Sequence, residues 1–99
     1  MSTYMMVTKL SEAASSATAS VQDTGREIGQ RVHELCPSVK WISHYATLGP
    51  YDFVDIFEAK DEAEASQVAL ITRGVGRATT EVWIAMPYER YVNLAKKAA

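Results

Sequence analysis

Cysteine is nearly absent. Cys36 stands alone among 99 residues, so no disulfide can close within the chain, and a reducing, cytoplasmic setting is expected. No apolar run approaches the roughly 18–20 residues that cross a bilayer. The N-terminus has no basic segment ahead of an apolar stretch, so neither a membrane span nor a signal peptide is expected. Positive charge is thin as well: ten Lys and Arg stand against twelve Asp and Glu, for a formal net charge of −2. Only Lys96-Lys97 sit together near the chain's end, so a footprint for the phosphate backbone of nucleic acid is missing. Metal ligation lacks its spacing. His33, Cys36 and His44 form neither a Cys-x-x-Cys nor a His-Glu-x-x-His pattern, and neither a metal nor another cofactor is expected. Gly74-Val-Gly-Arg77 follows a helical stretch and has no Lys-Ser/Thr, which excludes a phosphate loop. Cys36 lies near a helix C-terminus, where the dipole does not stabilise a thiolate.

Apolar residues make up 47% of the chain and charged residues 22%, the balance of a folded protein rather than a disordered one. One domain over residues 1–99 is expected, with a modest core. Thr3–Lys9 reads as a short apolar strand. Ser11–Ser20, rich in Ala and Ser, reads either as a mobile linker or as a short helical turn. Val21–Leu35 predicts a helix, with Val21, Ile28, Val32 and Leu35 on one stripe. Gly25 and Gly29 interrupt it, and close approach of the helix to a sheet is the expected reason. Pro37 stops it. Val39–Leu48 and Tyr51–Ala59 predict two strands joined through Gly49-Pro50 as an antiparallel hairpin. Asp61 is a natural N-cap for a helix over 63–72, buried through Val68 and Ile71 and ended by Gly74. Ala78–Met86 reads as the last strand, and Pro87 opens a C-terminal helix with Tyr88, Tyr91, Val92 and Ala95 on one face. The order βαββαβ is the ferredoxin-like pattern: an α+β fold with a four-stranded antiparallel sheet, helices on one face, and a C-terminal helix.

The strands do not alternate as an open sheet should. Phe53 and Phe57 point one way, while Val54 and Ile56 point the other. Trp41 and Tyr45 are likewise expected to oppose Ile42 and Leu48. An uncovered face this apolar predicts either a second copy packed sheet to sheet about a two-fold axis or partial cover by the C-terminal helix. Self-association, as a homodimer or a higher oligomer, is the expected partnership.

The hairpin reads Tyr45-Ala-Thr-Leu-Gly-Pro-Tyr-Asp-Phe-Val-Asp-Ile-Phe-Glu-Ala59. With Gly49, Tyr51 and Asp52 in place, the opening Thr3-Tyr4 and Thr8-Lys9-Leu10, and the Thr-rich last strand, the sequence resembles the GYD-domain family. A proline separates Gly49 from Tyr51, and Ser11–Ser20 matches least. The resemblance implies a dimeric α/β barrel built from ferredoxin-like subunits, and it implies little about chemistry. The Gly-x-x-Asp hairpin is also similar to the effector-binding module of leucine-responsive regulators, which bind small molecules at subunit interfaces.

Within that frame Gly49, Tyr51 and Asp52 read as a structural turn motif, with Asp52 pinning the hairpin rather than acting as an acid. A Gly49-Pro50 turn sets Leu48 opposite Tyr51 and therefore His44 opposite Asp55. That pair, with Tyr51, Phe53 and Phe57, is the candidate ligand site, an apolar wall with one polar handle. A histidine that is merely structural or solvated is the competing reading. His33 is expected on the surface, and Arg73 and Arg77 in a solvated loop or holding a carboxylate. The expected function is an oligomeric small-molecule-binding or sensor module. The alternatives are a cofactor-independent, monooxygenase-like enzyme with a cavity lined by Trp41, His44 and Trp83, or a purely structural subunit.

Overall fold

A computed structural model of the chain describes residues 1–16 and 18–99, so Ala17, inside the Ala- and Ser-rich stretch, lies outside them. In chain order the elements are β1 (Ser2–Leu10), α1 (Glu12–Ser16), a 3-10 turn (Thr18–Ser20), α2 (Val21–Leu35), β2 (Lys40–Ala46), β3 (Phe53–Ala59), α3 (Glu62–Gly76), β4 (Ala78–Ala85) and α4 (Tyr88–Ala98). The four strands make one sheet in the order β2-β3-β1-β4 with every pairing antiparallel. This is the ferredoxin-like arrangement.

Pattern explains which face is inside. Tyr4, Met6 and Thr8 of β1 are buried, and so are Asp55, Phe57 and Ala59 of β3; both sets follow the two-residue period of a strand. Val32 of α2 and Ala65, Val68 and Ile71 of α3 close over them. Phe57, fully buried, stacks on Tyr4 with ring centres 5.8 Å apart and meets Trp41 at 5.4 Å. Burying a phenylalanine of this kind stabilises by about 1.5–3 kcal/mol.

α3 begins as its sequence dictates. The Asp61 carboxylate accepts the Glu64 backbone N–H at 2.9 Å, and Glu64 reaches back to the Lys60 N–H at 3.0 Å. Ser38 donates its hydroxyl to the Glu64 carboxylate, and these bonds hold that carboxyl below its ordinary range. The end of the helix differs from expectation. Gly74 does not stop it; α3 runs to Gly76, and Arg77 caps it in the left-handed region with φ of 49°. A helical glycine costs about 1 kcal/mol relative to alanine, which is too little to break a helix whose other residues pack.

α4 does not fold back over the sheet. It continues outward past Pro87, and Tyr88, Tyr91 and Leu94 remain exposed. The molecule is consequently long, 50 × 31 × 17 Å, with a radius of gyration of 14.8 Å; a compact chain of 100 residues has roughly 13 Å. No helix among the described residues is long and apolar enough to cross a membrane.

Candidate functional site

The β2–β3 hairpin positions the polar centre. Its strands stop at Ala46 and Phe53, so the connection is longer than a Gly49-Pro50 turn, and Thr47 N–H bonds Asp52 O at 2.8 Å across its mouth. The longer loop is centred on the same two residues and leaves the register unchanged: His44 stands opposite Asp55. His44 Nδ1 pairs with Asp55 Oδ1, and the imidazole stacks on Phe53 with ring centres 5.7 Å apart and planes 17° apart. The Asp55 side chain is 9% exposed and that of His44 66%, so the pair runs from the interior to the edge of the sheet. Burial pushes the Asp55 carboxyl above its ordinary range, while the bond to His44 and its charge work in the opposite direction.

An irregularity between Trp41 and Ser43 redistributes β2. The extra residue, Ile42, has no partner on β3, and the strand flips phase across it. Trp41 and His44 therefore share the helix-side face with Phe53, Asp55 and Phe57, whereas Ser43 and Tyr45 face the other way. This corrects the expectation that Trp41 and Tyr45 share a side.

On the helix side a cavity of about 540 Å³ lies between α2 and the sheet. β2 and β3 contribute Trp41, His44, Phe53 and Asp55; β1 contributes Met6, Thr8 and Leu10; α2 contributes Val21, Gly25, Ile28 and Gly29. The volume falls within the range of pockets for small ligands. Gly25 and Gly29 do not bring α2 close to the sheet, as their positions suggested. A Cβ built on either meets no atom within 4 Å, and both stand in the cavity wall, so the missing side chains leave space rather than contact. Thr8 also stands in the wall. It is 3% exposed, and its hydroxyl has no hydrogen-bond partner among the described residues. A buried hydroxyl without a partner costs about 1–3 kcal/mol, so its presence here needs a reason.

Of the predicted site residues, His44, Asp55 and Phe53 converge on the cavity. Phe57 lies beside them in the core without lining it. Tyr51 does not join them. Its hydroxyl donates to Glu81 at 2.5 Å, on the opposite face of the sheet, where Trp83 also bonds Glu81 at 3.3 Å. Trp83 is therefore no part of the cavity. Asp52 behaves as the turn motif implied: its Oδ2 accepts the Leu10 N–H at 2.7 Å and its own N–H bonds Thr8 O at 2.8 Å, tying the hairpin mouth to β1. Gly49 does not need its freedom, because no glycine has a positive φ and a Cβ there would meet open space. His33, Arg73 and Arg77 are exposed. Thr8 was the residue missed, although it stands as a polar group in the inward series Tyr4, Met6, Thr8.

A family model described as GYD domain matches residues 4–95. The chain is similar to the "Glutamine synthetase and cystathionine beta-lyase binding protein" of Thermus thermophilus, 29% identical over 87 residues that cover 88% of this chain and 90% of that protein. In solved structures its fold is similar to a de novo designed protein with ferredoxin fold, determined by solution NMR, at a TM-score of 0.60 and 16% identity over 88% of each chain.

Proposed function

Because the chain belongs to the GYD-domain family, we propose that it is a small-molecule-binding module that works as an oligomer, with the cavity between α2 and the sheet as its ligand site. One observation carries this reading: two of the α2 residues that line the cavity, Gly25 and Gly29, have no side chain, and a Cβ on either would meet open space. Most other residues there would favour the helix, so the open wall is kept at a cost to helix stability. The His44–Asp55 pair supplies the polar handle at the mouth.

A thermal-shift screen of amino acids, aromatic acids, phenols and quinones against the parent and a Gly25→Leu variant tests it. A ligand of this cavity stabilises the parent by RT ln(1 + [L]/Kd) and leaves the filled variant unmoved. A screen in which no compound distinguishes the two proteins overturns the reading.

A second reading is favoured by α4, whose Tyr88, Tyr91 and Leu94 are exposed, together with the name of the Thermus relative, which describes binding to enzymes. In that reading the chain binds a protein partner through α4. Surface plasmon resonance with purified glutamine synthetase and cystathionine β-lyase, comparing the parent with Tyr91→Asp, decides it. Absence of binding by the parent removes this reading.

A further inference from the structure

The cavity's lining specifies more than its size. Among its described residues there is no lysine and no arginine, and its one carboxylate, Asp55, is already engaged by His44 through Oδ1. An anionic guest would meet Asp55, and the one basic side chain in the wall, His44, is already paired with that carboxylate. A cationic guest would leave water for an apolar wall and compete with His44 for the same carboxylate, and desolvation of an ion is seldom recovered in such a site. An uncharged guest has neither problem.

Gln22 and Thr24 of α2 and Thr72 of α3 also line the wall, the last already donating to Val68 O; on the sheet itself two polar groups stand together to orient the guest. Asp55 keeps Oδ2 as an acceptor, since Nδ1 of His44 takes Oδ1. Thr8 keeps a hydroxyl that has no partner and can donate or accept. The strand register places them as neighbours. Thr8 pairs with Phe53 and Met6 with Asp55, so Thr8 and Asp55 are diagonal across β1 and β3 on one face, at a separation of roughly 7–8 Å between backbone positions. A single hydroxyl between them donates to Asp55 and accepts from Thr8. Trp41 and Phe53 beside them offer flat apolar contact.

We infer that the guest is an uncharged molecule bearing a hydroxyl on an aromatic or compact apolar frame, held by that hydroxyl between Thr8 and Asp55. The inference rests on the cavity being the ligand site, as proposed above. It accounts for the orphaned Thr8 hydroxyl: the group is unpaired only while the cavity is empty, and the guest completes it.

Matched probes separate the inference from the reading beneath it. Isothermal titration at neutral pH compares p-cresol, 4-methylanisole, 4-methylbenzoate and 4-methylbenzylamine on the parent, Thr8→Val and Gly25→Leu. The expected result is p-cresol tightest, about tenfold or more over 4-methylanisole, as one lost hydrogen bond to a buried group implies. Thr8→Val then lowers p-cresol affinity by a similar factor. Thr8→Ser, which keeps the hydroxyl, restores the preference. Equal affinity for p-cresol and its methyl ether, or tightest binding of the benzoate or the benzylamine, overturns the hydroxyl assignment while the cavity stands, provided that Gly25→Leu abolishes that binding. Binding of no probe to the parent, or binding that Gly25→Leu does not affect, overturns the cavity as the site and the inference with it.

Discussion

Thr8 occupies a core position that a valine would fill with nearly the same shape. Its neighbours in the inward series of β1 are Tyr4 and Met6, and its hydroxyl is buried without a partner. Removing such a group by an apolar isostere relieves its desolvation, and valine has the higher strand preference. Thr8→Val is therefore expected to raise the stability of the unliganded protein by about 1–2 kcal/mol, read as a higher denaturant midpoint at unchanged m-value. A lower midpoint would mean that the hydroxyl has a partner in solution. Asp55 makes the complementary case. Its carboxyl is held up chiefly by burial, so the folded state holds that proton more tightly than the unfolded chain does. Its contribution is then greatest below the ordinary carboxylate range and declines as pH rises through the raised value. A protein selected for stability alone would keep neither group inside.

At the scale of elements, the hairpin is held by bonds of Asp52 rather than by glycine. The side chain of Asp52 takes the Leu10 N–H and its backbone takes Thr8 O, so the loop is stitched to β1, the central strand that also bears Thr8. Asp52→Ala is expected to cost about 1–2 kcal/mol, since it leaves the partly buried Leu10 N–H unpaired. Gly49→Ala is expected to be neutral or slightly stabilising, because no positive φ and no nearby atom opposes a Cβ. Chemical denaturation of both variants checks the contrast, and an unchanged midpoint for Asp52→Ala would refute it. The same hairpin shows what the sequence could disclose. A connection centred on Gly49-Pro50 fixes which residues oppose each other whatever its length, so the His44–Asp55 pair was legible. The bulge at Ile42 was not, because nothing in Trp41-Ile42-Ser43 marks an extra residue, and a single insertion reverses every face beyond it. Gly25 and Gly29 were visible as anomalies in α2. Their sense was hidden, since a missing side chain permits close approach and empty space alike, and only the height of the helix above the sheet decides between them. Arg77 was missed as the cap of α3 for a related reason: glycine favours the left-handed region, but the chain turned at a residue that does not.

At the scale of the whole molecule, the sheet has one covered face and one open face. Met5, Val54, Ile56, Tyr45 and Trp83 alternate with the inward series and so belong to the open face; Tyr45 is 61% exposed and Trp83 45%. α4 leaves that face uncovered and exposes its own Tyr88, Tyr91 and Leu94 as well. Apolar and aromatic side chains left exposed in such a group are unusual on a monomer. Two copies related by a two-fold axis would bury the open faces against each other, since the same patch then meets itself. Each copy's α4, extending past its own sheet, would be free to pack on the other. A homodimer is thus expected at micromolar concentration and neutral pH, measured by light scattering after size exclusion. The double variant Tyr45→Glu/Trp83→Glu places a charge on each edge strand of the proposed contact, where desolvating them without partners is costly, and is expected to shift the species to half its mass. It should leave the cavity on the other face, and any ligand response there, intact. A monomeric parent would remove the dimer. A double variant that stays dimeric would move the interface away from the sheet, leaving α4 as the surface to change next.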